Sequence, residues 1–155
     1  FDLSPNSTRL LAEYGFAYDS SMMAHDFELY RCRTGDVIHT DRAVEFGPEI
    51  DLVEVPVSWT LDDFPFIEFA LVPPMIVPAS TDVEALANRW LSDMDFMVAE
   101  VPHGVFTQTF HPQSIGRASR LRILERMIRR AKEHGARFST VNDAASAWKT
   151  AGAPA

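Results

Sequence analysis

Residues 104–135 read GVFTQTFHPQSIGRASRLRILERMIRRAKEHG, and they indicate the fold more directly than any other segment. In the first seven residues, valine and threonine alternate with bulkier side chains, a period of two that predicts a β-strand. From 117 to 134, apolar residues recur every three or four positions, which predicts a helix, and Gly135 suits its left-handed end. The packed face of this helix is predicted to contain Leu121, Leu124, Ile128 and Ala131.

The segments on either side repeat this alternation. Helices are predicted at 4–14, 81–100 and 140–148, and further strands at 16–18, 52–59 and 137–139. Ser4 and Pro5 are typical of a helix start, Thr81 and Glu84 form a capping box, and Thr140 is a third cap. The buried faces are predicted to contain Leu10, Leu11 and Tyr14 in the first helix and Leu86, Trp90, Met94 or Met97, and Val101 in the second. Strands that alternate with helices are typical of α/β proteins with parallel strands.

Proline and irregular composition limit the remaining segments. Pro56, inside the strand at 52–59, predicts an edge position or a strand end. Residues 71–79 contain three prolines, which lack backbone donors, so we predict a connecting loop there. Residues 19–51 have no stable period and predict a loop with at most one hairpin.

The composition is that of an acidic globular protein. With 155 residues, 46% of them hydrophobic, the chain can bury one core of single-domain size. Its net charge of −8 opposes binding to nucleic-acid phosphates and anionic membranes, so neither is predicted as a partner. The basic helix at 117–134 contains acids such as Glu125 and predicts a solvated ionic face, although nucleic-acid binding is the alternative.

The chain also has features that bear on its location. Cys32 is the single cysteine, so no intrachain disulfide is expected and a reducing compartment is favoured. There is no run of about 18 apolar residues and no basic-then-apolar leader, and a cytoplasmic location is predicted. The chain starts at a helix cap without methionine, which favours the hypothesis that it was cleaved from a longer protein.

His111 is the strongest catalytic candidate. It follows the predicted strand at 104–110 directly, and barrel enzymes carry catalytic groups at the carboxyl ends of strands. An imidazole titrates near neutral pH and can protonate a leaving amine as general acid. The alternative is a loop histidine whose hydrogen bonds are structural.

Trp59, Asp62 and Asp63 form a second candidate cluster beyond the strand at 52–59. Adjacent side chains diverge, so the two carboxylates are not expected to share one role. One could orient and charge-stabilise a histidine while the other caps a turn or faces solvent. The alternative is that both belong to turn chemistry.

A third cluster lies in the loop after the first strand. It contains Asp19, Ser20, Ser21, His25 and Asp26. Such residues can bind metal, but one loop does not define ligand geometry, so a structural or substrate-lining role is favoured. The other histidines, at 39, 103 and 134, are predicted to be surface or turn residues.

Three segments, in order, carry a family resemblance: LSPNSTRLLAEYGFAYDSSMMAHDF (3–27), LVEVPVSWTLDDFPF (52–66) and GVFTQTFHPQSIGRASRLRILERMI (104–128). They resemble successive segments of the polysaccharide deacetylase superfamily over nearly the whole chain. WTLDDFPF is similar to the W-x-L-D-D signature of an intracellular branch that includes Helicobacter-type peptidoglycan deacetylases and cofactor-free allantoinases.

The resemblance implies a fold and a site. Residues 1–150 would be the C-terminal half of a distorted (β/α)7 barrel, followed by a frayed tail at 151–155. His111 matches the histidine of the family's late His-Pro motif, a general acid toward the leaving nitrogen. The family's Trp/Asp motif, here Trp59 with Asp62 or Asp63, would line the pocket and orient that histidine. Pro112 and Phe64 join Trp59 as expected substrate-binding residues.

The family's other motifs would all precede Phe1. These are an early Asp-Asp pair, an H-x-x-x-H metal motif and an Arg/Pro motif. The general base and the metal ligands would therefore come from a missing N-terminal half. No metal ligand or cofactor is predicted in this chain, and a divalent metal such as zinc is left open for the complete enzyme.

The leading functional hypothesis is a hydrolase of non-peptide amide C–N bonds, with a small N-acyl or ureide substrate. Water attacks the acyl carbon, and His111 protonates the departing nitrogen. The rival hypothesis is a non-catalytic barrel fragment that serves subunit association or binding. Homo-oligomers are expected in either case, because half a barrel leaves sheet edges unpaired.

Overall fold

The computed structural model describes residues 3–79 and 81–152. Its helices are α1 (Ser7–Glu13), α2 (Phe64–Ile67), α3 (Val83–Glu100), α4 (Pro112–Ile115), α5 (Leu121–Glu133) and α6 (Val141–Ala151), with turns of 3-10 helix at Trp59–Leu61 and Ala118–Arg120. Its strands are β1 (Tyr18–Asp19), β2 (Tyr30–Arg33), β3 (Glu49–Glu54), β4 (Phe69–Val72) and β5 (Met75–Pro78). The fold is therefore mixed α/β. None of the described helices is both long enough and apolar enough to cross a membrane.

The chain divides into two compact units, one formed by Phe1–Pro56 with Ser139–Ala155 and the other by Val57–Phe138. Most of the tail predicted at 151–155 lies outside the described residues, and α6 includes Ala151.

Strand β3 is the centre of the first unit. It pairs in parallel with β1 and antiparallel with β2, so the sheet order is β1-β3-β2. Leu52, Val53 and Val55 are buried along this strand and its extension, and Cys32 of β2 is buried beside them. Both α1 and α6 contact β3. The apolar run that predicted a strand is thus explained by burial in the centre of this sheet.

The first unit follows the sequence predictions with several corrections. β3 begins at Glu49 and ends at Glu54, and Pro56 lies beyond its end, so the edge-strand alternative was wrong. The N-cap of α1 is Asn6 and not Ser4, because the Ser4 backbone N–H bonds the Ser7 hydroxyl at 2.9 Å before the helix starts. Leu10 and Tyr14, both predicted on the packed face, are 39% and 78% exposed. The strand predicted at 137–139 is absent, although the structure describes all three residues.

Helices α3 and α5 pack against each other in the second unit. The predicted stripe of α3 is confirmed at Leu86, Trp90, Met94 and Met97. The predicted face of α5 was wrong in part, since Leu121 is 51% exposed and Ile128 is 37% exposed. The buried residues are Ile123, Met127 and Ala131. Both sets recur every three or four positions, so periodicity alone could not separate them.

The helix ends show which capping predictions hold. Thr140 accepts from the Asp143 backbone N–H at 3.1 Å, as predicted. At α3 the cap is Asp82 and not Thr81, since the Asp82 carboxylate accepts from Ala85 N–H at 2.8 Å. Gly135 has a φ of 72°, the left-handed end that the sequence predicts.

The predicted loop at 71–79 is instead part of an antiparallel hairpin. β4 and β5 pair from Phe69 opposite Pro78 to Val72 opposite Met75. Pro73 and Pro74 occupy the turn, where no ladder donor is needed, and Pro78 lies at the open end. Three prolines therefore interrupt the pairing less than their number suggested.

The predicted strand at 104–110 is also corrected. The segment makes a single isolated β-bridge, between Thr109 and Asp62. It does not form a strand within the described residues. The reason is its neighbour: residues Trp59–Leu61 coil into a 3-10 turn, so few backbone groups face this segment.

Candidate active site

The bridge between Asp62 and Thr109 joins the two candidate segments. Thr109 N–H donates to the Leu61 carbonyl at 2.9 Å, and Asp63 N–H donates to the Thr109 carbonyl at 3.2 Å. These bonds place both aspartates next to the residue that follows the extended segment, His111. The structure thus brings together the two clusters, which the residue patterns left apart and the family resemblance joined.

Asp63 holds His111 in place. Its Oδ1 lies 2.6 Å from the ring Nδ1, and its two carboxylate oxygens accept from the His111 backbone N–H at 3.1 and 3.0 Å. Asp63 is fully buried. An ionised carboxylate can only accept, so the ring donates from Nδ1, and this fixes both its tautomer and its orientation.

This tautomer leaves Nε2 of His111 for chemistry. In the described part of the chain this nitrogen has no hydrogen-bond partner, and the side chain is 34% exposed. A ring held through Nδ1 accepts a proton at Nε2 when neutral and donates one there when protonated.

Asp62 has a different set of contacts. Its Oδ1 accepts from the Phe64 backbone N–H at 2.8 Å at the start of α2, and lies 3.7 Å from His111 Nδ1. Like Asp63 it is buried, so it adds negative charge near the imidazole without the short bond. The two carboxylates diverge, as expected for adjacent residues on an extended chain.

Aromatic side chains border the histidine. The Phe64 ring lies 5.1 Å from the His111 ring and packs edge-on against Phe69 at 4.9 Å. Trp59, in the 3-10 turn, is 47% exposed, and Pro112 opens α4 directly after the histidine. The predicted substrate-binding residues therefore lie on the same two segments as the acid–imidazole pair.

Two supporting residues had no assigned role in the sequence analysis. Trp90 is fully buried, its ring nitrogen donates to the Thr60 carbonyl at 2.7 Å, and its ring packs edge-on against Phe110 at 6.0 Å. It therefore ties α3 to both candidate segments. Ser114 is buried and its backbone N–H donates to the His111 carbonyl at 2.8 Å. The sequence carries no signal for Trp90 beyond its place in a helical apolar period. It carries none for Ser114 beyond its position three residues after His111.

The site does not have zinc geometry. Asp62, Asp63 and His111 offer ligand atoms within 4.8 Å of one another. However, His111 Nδ1 and Asp63 Oδ1 are 2.6 Å apart, whereas two ligands of one tetrahedral zinc ion are separated by roughly 3.3 Å. A contact this short is a hydrogen bond, and such a carboxylate–imidazole pair is typical of acid–base sites.

We therefore expect the purified chain to bind no stoichiometric zinc. His25, the other histidine in a candidate cluster, is half exposed and pairs with Glu28 at 3.4 Å, which offers a weak ligand set. Elemental analysis after dialysis checks this expectation. One zinc per chain, lost in a His111→Ala variant, would contradict it.

The third candidate cluster lies in the first unit and is organised around a residue that sequence analysis did not select. Glu54 is fully buried, and its Oε1 accepts from Ser21 and Met22 N–H, both at 2.7 Å. Asp19 accepts from the Ser21 hydroxyl at 3.0 Å. An acid within the apolar run LVEVPV is the signal that could have identified Glu54.

Burial raises the pKa of Glu54 to about 7, and the nearby charge of Asp19 adds to the shift, although the Met22 and Ser21 amides oppose it. Burial also raises the pKa of the Cys32 thiol, which donates to Glu54 Oε2 at 3.5 Å. The thiol is therefore kept protonated, and this cluster is structural in character.

Glu54 should make the protein less stable as pH rises. The unfolded carboxyl ionises near 4.5 and the folded one near 7, so between these values the folded state holds a proton that the unfolded state releases. The stability that Glu54 contributes is greatest below pH 4.5 and is lost as pH rises through 7, a change of up to roughly 3 kcal/mol. Thermal melts of Glu54→Gln should be flatter over this range, and the variant should melt higher than the parent at about pH 8.

Glu49→Gln is the matched control, since Glu49 lies on the same strand but is exposed. It should retain the parent's pH dependence. If Glu54→Gln kept the same pH dependence as the parent, the proposed coupling of Glu54 to folding would be wrong.

The basic helix α5 has an ionic outer face. Arg126 pairs with Glu84 at 2.5 Å and with the Asn88 side chain at 2.7 Å, and Arg129 pairs with Glu125 at 2.6 Å. These contacts form a solvated ionic face of the kind that the sequence predicts, and the absence of nucleic-acid binding stays a prediction.

Comparisons with known proteins give consistent matches. The chain is 31% identical over 156 residues to a peptidoglycan deacetylase of Helicobacter pylori, a match that covers 94% of this chain and 53% of that protein. It is 27% identical over 165 residues to a peptidoglycan deacetylase-like protein of Gibberella zeae, covering 94% and 48%. No protein family model matches.

A solved structure shows the same relationship in three dimensions. A Mycobacterium smegmatis protein assigned as a polysaccharide deacetylase superposes with a TM-score of 0.72 at 25% identity, covering 97% of this chain and 47% of that one.

The second unit contains a buried carboxylate bonded to an imidazole between two loop segments, a pairing that acid–base hydrolases use. The comparisons confirm, more specifically, the resemblance to the polysaccharide deacetylase superfamily. The chain spans about half the length of the curated relatives it matches, which fits the prediction that it corresponds to one half of such a protein.

Proposed function

We propose that this chain is the C-terminal half of a hydrolase of non-peptide amide C–N bonds, and that it supplies the proton donor. The observation that carries the proposal is the 2.6 Å bond between the buried Asp63 carboxylate and His111 Nδ1. A buried acid that fixes an imidazole is the arrangement by which hydrolases use the second ring nitrogen in proton transfer.

In the proposed reaction, water adds to the acyl carbon and forms a tetrahedral oxyanion. The C–N bond then breaks as the electron pair moves to nitrogen. His111 in its imidazolium form donates the Nε2 proton to that nitrogen, so the product leaves as a neutral amine. Asp63 stabilises the imidazolium before the transfer and holds the ring during it, because its short bond to Nδ1 persists in both protonation states.

The surrounding residues have supporting roles in this proposal. Asp62 fixes the start of α2 through the Phe64 amide and adds negative charge near the ring. Trp59, Phe64 and Pro112 line the pocket, with Phe64 in contact with the ring that donates the proton. Apolar walls exclude water from the leaving group, which strengthens the electrostatic interactions there.

Activation of the attacking water is assigned to the N-terminal half. Because the 2.6 Å distance from His111 Nδ1 to Asp63 Oδ1 suits a shared proton better than two zinc ligands, we assign any divalent metal of the complete enzyme to that half. In this proposal the chain, which spans about half the length of the curated relatives it matches, contributes the proton donor and the other half contributes the activation of water.

The proposed substrate is a small N-acyl compound, with an N-acetylated sugar first because both curated relatives have peptidoglycan deacetylase in their names. A ureide is the second class. The test is a panel assay on the protein that carries this chain together with its N-terminal half. Acetate release from N-acetylglucosamine oligomers and ammonia or urea release from ureides are followed in parallel.

Acetate release that disappears in a His111→Ala variant supports a deacetylase. Turnover of the ureide alone would make ureides, and not N-acyl compounds, the substrate class, with the same type of reaction. Absence of turnover on every N-acyl and ureide substrate would contradict the proposal and favour the non-catalytic binding module.

A further inference from the structure

A second polar contact joins the two segments that carry the candidate site. The Arg120 guanidinium donates from Nη1 to Glu68 Oε1 at 2.9 Å. Glu68 follows the last residue of α2, and Arg120 ends the turn of 3-10 helix that precedes α5. The two side chains are 23% and 34% exposed, whereas residues 116–119 before the arginine are all exposed. One arginine of an exposed turn therefore reaches back to α2.

This contact and the Asp63–His111 bond lie at opposite ends of the same two segments. The first segment runs from Asp63 through α2 to Glu68. The second runs from His111 through α4 to Arg120. Between these ends, α2 and α4 contact each other. The two segments are thus joined at both ends, and we call this closed arrangement the clamp.

The backbone that leads to Arg120 follows a narrow path. Gly116 N–H donates to the Pro112 carbonyl at 3.1 Å, and a Cβ at Gly116 would lie 2.5 Å from the same oxygen, so this close approach requires glycine. Ala118 has a φ of 48°, in the left-handed region that alanine disfavours. Such a conformation persists where surrounding contacts hold it, and the Arg120 bond across the clamp is one such contact.

We propose that Arg120 is a positioning residue, which holds His111 in the orientation from which it donates its proton. This inference rests on the proposed function, in which His111 Nε2 is the proton donor. A single bond, from Asp63 to His111, leaves the two segments free to turn about that bond. A second bond at the far end removes this rotation, and it thereby fixes the direction of Nε2 and the place of Phe64 beside the ring.

The ion pair should matter more for geometry than for stability. Partly exposed pairs of arginine and carboxylate stabilise a fold only slightly, because water screens their charges. In contrast, a misplacement of about 1 Å at a reacting group can lower a rate about 100-fold. Loss of Arg120 should therefore reduce turnover much more than it reduces the melting temperature.

The first test is steady-state kinetics on the protein that carries this chain together with its N-terminal half. Arg120→Gln removes the charge and should lower kcat about 10- to 100-fold, with KM within about threefold of the parent value. Arg120→Lys keeps a charged donor and should recover part of the loss. Arg126→Gln is the matched control, since Arg126 on α5 also pairs with a glutamate, Glu84, but lies outside the clamp. It should keep the parent kcat.

Glu68→Gln tests the same bond from its other end, and it replaces Arg120→Gln if that variant misfolds. It should lower kcat to a similar extent. The double variant should lose no more than either single variant, because both changes remove one interaction. The melting temperature of each single variant should stay within about 4 °C of the parent value.

The second test needs no substrate. Exchange of the His111 Nδ1 proton with solvent, followed by NMR, reports how often the bond to Asp63 opens. We expect exchange at least about tenfold faster in Arg120→Gln than in the parent, and unchanged exchange in Arg126→Gln.

The two tests separate failure of the clamp from failure of the proposed function. A parent without turnover would contradict the proposed function, and proton exchange would still decide whether Arg120 holds the ring. With an active parent, an unchanged kcat in folded Arg120→Gln or an equal loss in Arg126→Gln would overturn the inference. Equal proton exchange in Arg120→Gln and the parent would overturn it as well.

Discussion

Replacing His111 with alanine in the complete enzyme should lower kcat by about 10²- to 10⁴-fold, which corresponds to roughly 3 to 5 kcal/mol of barrier. The proton donor acts after substrate has bound, so KM should change little. Without the imidazole, the nitrogen must leave unprotonated or take its proton from water. Steady-state kinetics on the best substrate of the panel measures both constants.

His134→Ala is the matched control. His134 also bonds a carboxylate at 2.6 Å, that of Asp95, and lies in the same unit, but it is not part of the candidate site. This variant should keep a kcat close to that of the parent. A kcat near the parent value for His111→Ala would assign His111 a structural role.

The two aspartates should respond very differently to the same isosteric change. Asp63→Asn removes the charge that stabilises the imidazolium and disturbs the tautomer that the carboxylate enforces, so kcat should fall by about 10²- to 10⁴-fold. In the parent, both carboxylate oxygens of Asp63 accept from the His111 backbone N–H. In the variant, the asparagine NH2 group replaces one of these oxygens and cannot accept. One unsatisfied buried group should therefore cost about 1 to 3 kcal/mol of stability.

Asp62→Asn is the built-in comparison. An asparagine oxygen can still accept from the Phe64 amide, and the distance from Asp62 Oδ1 to the ring is 3.7 Å, so the loss of rate should be about tenfold or less. Melting curves separate lost stability from lost rate. Equal losses of kcat in the two variants would contradict the assignment of the orienting role to Asp63.

The sequence predicted the candidate residues, and the family resemblance implied that one of the two aspartates orients His111, but not which one. Asp62 and Asp63 precede an aromatic run, and His111 follows an extended segment, so both segments were recognisable from local pattern. The choice between the aspartates depends on the register of the bridge at Thr109, because a shift of one residue exchanges the two faces. Such a long-range register has no signal in a single sequence.

The fold shows a similar limit. Helix ends and the central strand were predictable because glycine, capping residues and β-branched residues act locally. The hairpin of β4 and β5 was missed because three prolines were counted against pairing, whereas pairing depends on whether each proline faces a partner that needs a donor. Glu54 was passed over because its burial follows from the central position of β3, which sequence alone did not give.

The leaving group offers the most direct test of the claim that His111 protonates the departing nitrogen. The measurement compares His111→Ala with the parent enzyme on two N-acetyl substrates, one with an alkyl amine and one with a nitroaniline as leaving group. Because a nitroanilide departs without prior protonation, the rate loss should shrink from about 10²- to 10⁴-fold on the alkyl amide to about tenfold or less on the anilide. The same loss on both substrates would contradict a role for His111 as proton donor.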